Sequence, residues 1–155
     1  MAGSEAIPLV YLDVRCLSRP VDDQSQERVA DESEAVAAIL RRVERGHLRW
    51  VCSDAVVLEA ARTRDLAKRR YLLAATEHAT EFVVIGDAES RRADQLAAWG
   101  VGWLDSLHVA CAESAVASVF LTVDDVLARR LHRMGSRIAV QVRNPVDWLR
   151  EVSSP

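Results

Sequence analysis

The sequence predicts an α/β domain built on a mainly parallel sheet, and three observations carry that prediction. Strand-like apolar runs alternate with helix-period patterns from one end of the 155 residues to the other, which is what successive βαβ units produce. Half of the residues are hydrophobic, enough for a packed core and far from the composition of a disordered chain. No linker or internal repeat breaks the pattern, so a single domain over residues 1–155 is expected.

The elements follow in order. The apolar run Ile7 to Leu12 gives a first strand over about 7–13, closed by Asp13. A polar stretch from Val21 to Gln26 leads into a helix over about 30–46. Its stripe Val36, Ile39, Leu40 and Val43 has helical spacing, and Gly46 stops it. A second strand at 48–52 meets Ser53-Asp54, good N-cap chemistry for a helix through about 62. A charged helix over 64–79 precedes a third strand at 81–85. Gly86-Asp87 then opens a helix over about 88–99 that Gly100 ends. The helix over about 104–116 is rich in small residues (Ala110, Cys111, Ala112, Ala115), which permits close packing. A fourth strand at 118–123 leads to a helix near 125–134, ended by Gly135. A short fifth strand at 138–142 precedes Asn144-Pro145, where proline suits the first turn of a last helix.

Composition narrows the function classes. A net charge of -3 exerts no global pull on nucleic acid, so polyanion binding would need local basic patches. Lys68 is the only lysine. The arginine excess reads either as codon bias or as guanidinium forks suited to phosphate. Cys16, Cys52 and Cys111 are widely spaced with no CxxC pair, which points to buried thiols in a reducing cytosol rather than disulfides or zinc. Residues 1–5 lack the start of a signal peptide, and no apolar run approaches the roughly 20 residues of a membrane span. A soluble cytoplasmic protein, with no membrane partner, is expected.

Four acids recur where strands end or the next helix begins. Asp13 closes the first strand, Glu59 lies one to two turns into the helix after the second, Asp105 opens the small-residue helix, and Asp124 follows the fourth strand. The strands of a parallel sheet all end on one edge, where ligands bind. Singly, Asp105 and Asp124 read equally as N-caps and Glu59 as a solvated helix residue. Asp13, at the end of a six-residue apolar run, must find a partner if it is buried. Together the four would repel and raise one another's pKa unless a cation neutralises them. Oxygen-only ligation suits Mg²⁺ or Mn²⁺, and such an ion promotes phosphodiester hydrolysis.

These residues carry a family resemblance. The segment from Tyr11 to Pro20, Leu58-Glu59 after Ser53, the run from Asp105 to Ala110, and the run from Phe120 to Asp125 resemble the four successive motifs of PIN-domain proteins. The match covers about residues 7–150. It implies a three-layer α/β/α sandwich around a five-stranded sheet, with strand order 3-2-1-4-5. It also implies a metal-dependent endoribonuclease, often the toxin of a toxin–antitoxin pair, that leaves a 5′-phosphate and a 3′-hydroxyl. Asp13, Asp105 and Asp124 would bind the metal, and Glu59 would complete the site directly or through water. RNA is the implied substrate, with an antitoxin protein and a second copy of the chain as partners. The chain departs from the motif at Val14 and Arg15, where many members carry Thr and Asn. Arg15 would compete with a metal or grip a phosphate, and Arg19 in the same motif is the other candidate substrate-binding residue. The rival reading is a catalytically silent PIN-like domain that binds RNA or protein. A phosphohydrolase acting on a small molecule is a third.

Other residues have paired readings. Asp125 competes with Asp124 for the fourth acidic position. His108 would donate to Asp105 or simply pack; Ser53 would cap and orient the acids; Thr122 would bond an acid or serve β propensity. Trp99 and Trp103 flank Gly100-Val101-Gly102, where local packing is the ordinary reading and base stacking the functional one. His47, His78, His132 and the arginine-rich runs read as solvated surface.

Overall fold

The computed structural model describes residues 6–153; the leader reading at residues 1–5 lies outside them. Five parallel strands form one sheet: β1 (Leu9–Leu12), β2 (Arg49–Ser53), β3 (Glu81–Val83), β4 (Val119–Leu121) and β5 (Val142–Arg143). Their order is β3-β2-β1-β4-β5, and every pairing is parallel, so the expected order holds without exception. β1 is central, with Tyr11 opposite Val51 on one side and Phe120 on the other. All four of its residues are buried, which explains why it reads as an unbroken apolar run rather than an alternating one.

Among the described residues eight α-helices flank the sheet: α1 (Val14–Ser18), α2 (Glu27–Glu44), α3 (Asp54–Ala61), α4 (Leu66–Thr76), α5 (Asp87–Ala98), α6 (Trp103–Ser114), α7 (Asp125–Met134) and α8 (Pro145–Ser153). α2 packs with α8, whereas α6 packs with α5 and α3. The small residues of α6 allow this close approach, since Ala110, Cys111 and Ala112 are all buried. The three cysteines are free and buried, as their apolar surroundings predict.

Beyond shifts at element ends, such as β3 stopping at Val83 and α2 starting at Glu27, two stretches depart from the expectations. The first is α1, a short helix directly after β1 that apolar periodicity does not reveal. It is nucleated by Asp13, whose carboxylate accepts from the Cys16 amide at 2.9 Å, and followed by a 3-10 turn over Arg19–Val21 with Pro20 at its start. The second is β5, expected at 138–142 but formed only by Val142–Arg143. Gly135, at a left-handed φ of 56°, ends α7 in a further 3-10 turn. The Ala139 amide is then diverted to the Glu113 carboxylate at 2.7 Å instead of joining the ladder. Pairing with β4 resumes at Gln141 and Arg143, whose carbonyls accept from Phe120 and Thr122.

Candidate functional site

Asp13 leaves β1 at its carboxyl end and is 5% exposed. Its acceptors are met by the Cys16 amide and the Thr122 hydroxyl, neither of which carries charge. Burial therefore raises its carboxyl above the ordinary 3.8, with those two hydrogen bonds opposing and the nearby Glu59 charge adding to the rise. Asp105, in the first turn of α6, is also raised. Burial is the largest cause, opposed by His108 and Arg15 and reinforced by the charges of Glu59 and Asp124. The four acids thus share one electrostatic neighbourhood although 111 positions separate the first from the last.

Asp124 caps α7, accepting from the amides of Val126 and Leu127. Its other oxygen accepts from Arg15 at 3.0 Å. Arg15 is on α1, and its side chain remains 66% exposed. The guanidinium therefore turns toward the acids and supplies a positive charge at the fourth one. Asp125 turns elsewhere and accepts from both terminal nitrogens of Arg28, at 2.7 and 2.8 Å, which lowers its carboxyl. Arg19 donates to Asp22 and Glu32 at 3.1 Å each.

Glu59 is fixed from beneath. His108 is buried and its Nε2 lies 2.7 Å from Glu59 Oε2, so it bonds Glu59 rather than Asp105. Its Nδ1 lies 2.7 Å from the Tyr11 hydroxyl, and that hydroxyl lies 2.7 Å from Ser53 Oγ. A carboxylate only accepts, so Nε2 carries a proton. For a neutral ring, Nδ1 then accepts from Tyr11, and Tyr11 accepts from Ser53. Tyr11 also stacks on Phe120 with centroids 5.4 Å apart. Nothing in sequence spacing reveals this chain of contacts, because its four members come from β1, the β2 end, α3 and α6. The one available signal is a tyrosine inside an otherwise aliphatic strand, whose hydroxyl needs a partner once buried.

An all-oxygen donor set fits a hard divalent cation in its chemistry. Among the described residues, however, no three His, Cys, Asp or Glu side chains are gathered as a ligand group. Asp13, Glu59 and Asp124 each turn an oxygen to a donor of the protein itself. Clefts of about 440 and 470 Å³ run along α2 and α8 and are lined by other residues. Among the described residues no helix is long and apolar enough to cross a membrane.

No protein-family model matches the chain, and no curated protein sequence matches it significantly. Among solved structures it is similar to FitAcB from Neisseria gonorrhoeae, with a TM-score of 0.55 and 17% identity over 88% of this chain and 97% of that one. It is also similar to VapBC2 from Rickettsia felis, solved bound to a DNA fragment from their promoter, with a TM-score of 0.57 and 9% identity over 88% and 98% of the two chains. VapBC-1 from nontypeable Haemophilus influenzae gives 0.57 and 15% over the same shares. At such identities the likeness is one of fold, and that fold is the PIN-like α/β/α sandwich.

Proposed function

We propose that the chain is a PIN-type endoribonuclease that hydrolyses RNA phosphodiester bonds with Mg²⁺ or Mn²⁺, and that it acts as the toxin of a toxin–antitoxin pair. What supports the reading is that Asp13 feels the charge of Glu59, and Asp105 feels those of Glu59 and Asp124. Two of these acids are held above their ordinary range, by burial first and by neighbouring carboxylate charge after it. Asp13 and Asp105 would hold the cation, and Asp124 would join them on letting go of Arg15. Bound there, a divalent ion supplies a Lewis acid for a phosphoryl oxygen and lowers the pKa of water.

The chain's own residues have separable parts in this reading. Thr122 orients the Asp13 carboxyl, and His108 holds Glu59 in place. Arg15, mostly exposed beside the acids, is suited to grip a substrate phosphate through two parallel hydrogen bonds. The toxin role is supported by the motif resemblance together with the likeness in fold to the FitAcB and VapBC structures. An antitoxin protein and a second copy of the chain are the proposed partners.

One observation favours the rival, a silent PIN-like binding domain. Arg15 already neutralises Asp124, as an internal substitute for a metal would. Cleavage decides between the two. Wild-type protein freed of any co-purifying inhibitor should cut single-stranded or loop-containing RNA with Mg²⁺ or Mn²⁺, and EDTA should stop it. Asp13→Asn should lose cleavage while still binding RNA. Intact RNA with either metal, for wild type and mutant alike, would establish the silent domain instead.

A further inference from the structure

We propose that Trp103 and Arg62 form a stacking platform for an unpaired nucleobase at the edge of the acidic site. The inference rests on the ribonuclease reading, since it names where a single-stranded substrate lies. Trp103 is 56% exposed, which leaves its large amphipathic ring open to a planar partner. The chain's other tryptophans are hidden: Trp50 and Trp148 are buried, and half-buried Trp99 lies under Arg92 and Arg137, at 5.4 and 5.0 Å from its centroid. Trp103 has one such neighbour, Arg62, 5.8 Å from its centroid.

Both members are placed by the elements that carry the acids. Trp103 is the first residue of α6, two before Asp105, and Arg62 caps the C-terminus of α3, three after Glu59. The loop before Trp103 is anchored. The Val101 carbonyl accepts from the Ser106 hydroxyl, the Gly102 carbonyl accepts from the Ser106 amide, and the Gly100 carbonyl accepts from Arg130. The indole is therefore presented on a rigid support, so little ordering entropy is lost when a base lands on it.

Side chains two apart on a helix diverge, so a base on Trp103 would lie to one side of Asp105 rather than among the acids, on the same two elements that carry Asp105 and Glu59. Arg62 over the ring carries the charge that a flanking phosphate requires. Stacking is sequence-tolerant because every base has a π face. The platform thus selects unpaired RNA over duplex without selecting a sequence.

The test is binding of a hexaadenylate RNA in EDTA, where nothing is cut, followed by tryptophan fluorescence. Wild type should bind with quenching, and the quenching should vanish in Trp103→Phe while most of the affinity stays. Trp103→Ala should weaken binding about tenfold or more. Arg62→Gln should weaken it less and flatten its salt dependence. A six-base-pair RNA duplex should bind wild type and Trp103→Ala equally. Unchanged hexaadenylate affinity in Trp103→Ala, or quenching that persists in Trp103→Phe, overturns the proposal. A wild-type dimer that Trp103→Ala dissolves, at unchanged RNA affinity, would assign the ring to a protein interface instead. The two readings fail separately. RNA bound through Trp103 but never cut with metal removes the nuclease, and RNA cut indifferently to Trp103 removes the platform.

Discussion

Glu32 and Asp13 are both buried carboxylates, 1% and 5% exposed, yet the protein treats them in opposite ways. Glu32, on α2, accepts from Arg19 at 3.1 Å, Arg28 at 3.2 Å and the Asn144 amide at 2.7 Å. Two of those donors are cations, and together they tie α2 to the turn after α1 and to the start of α8. Asp13 receives only an amide and a hydroxyl, and its carboxyl rises. A carboxylate with charged partners of its own serves the architecture. One buried with only neutral partners holds a proton more readily, and in the proposed reading it is the one that would take a cation.

Removing Glu32 should therefore destabilise the fold, and removing the charge of Asp13 should not. Glu32→Ala leaves two guanidiniums without their anion. It should cost about 2–3 kcal/mol in urea unfolding, below the ~3–5 of a fully buried pair because Arg28 is half exposed and rehydrates. Tyr11→Phe comes next. It strands Ser53 and His108 and should cost about 1–3 kcal/mol. It should also reduce RNA cleavage more than its stability loss explains, because Glu59 loses its fixed position. Asp13→Asn, measured without metal, should leave the fold as stable as wild type or more stable by about 1 kcal/mol. A loss as large as that of Glu32→Ala would erase the distinction between the two acids.

The smallest effect is in pH. Asp13 and Asp105 have carboxyls raised above their unfolded values, so the folded state binds protons more readily than the unfolded one in that range. Their contribution is complete below the ordinary 3.8 and is lost as pH rises through the raised folded values. Metal-free wild type should gain stability on mild acidification from neutrality, and Asp13→Asn should flatten that gain. A wild-type profile already flat over that window would contradict the assigned cause.

Much of this arrangement was legible in the sequence, for reasons that also mark its limits. β1 announces itself because a strand buried on both faces is a continuous apolar run, and the four acids follow because parallel strands end together. Residues such as Asp54 sit beside strand ends too, and only the structure shows it accepting from the Ile85 amide instead. Which arginine each of the paired acids meets was also hidden: Asp124 meets Arg15 and Asp125 meets Arg28. Glu32 stayed hidden because its position falls on the apolar stripe of α2 and its partners lie 13 and 112 positions away. The direction of Arg15 was equally hidden, since a five-residue helix has no periodicity to read. Of the two tryptophans beside Gly100, Trp99 packs as the ordinary reading has it, whereas Trp103, the first residue of α6, faces solvent.

The proposal that the acids at the sheet edge hold a cation is tested most directly by thermal melting with added Mn²⁺. A ligand bound only by the folded state raises the melting temperature in proportion to RT ln(1 + [L]/Kd). Wild type should shift upward with Mn²⁺, Arg15→Asn should shift further because Asp124 is freed, and Asp13→Asn and Asp105→Asn should not shift. Equal shifts in wild type and in both aspartate mutants would contradict the account.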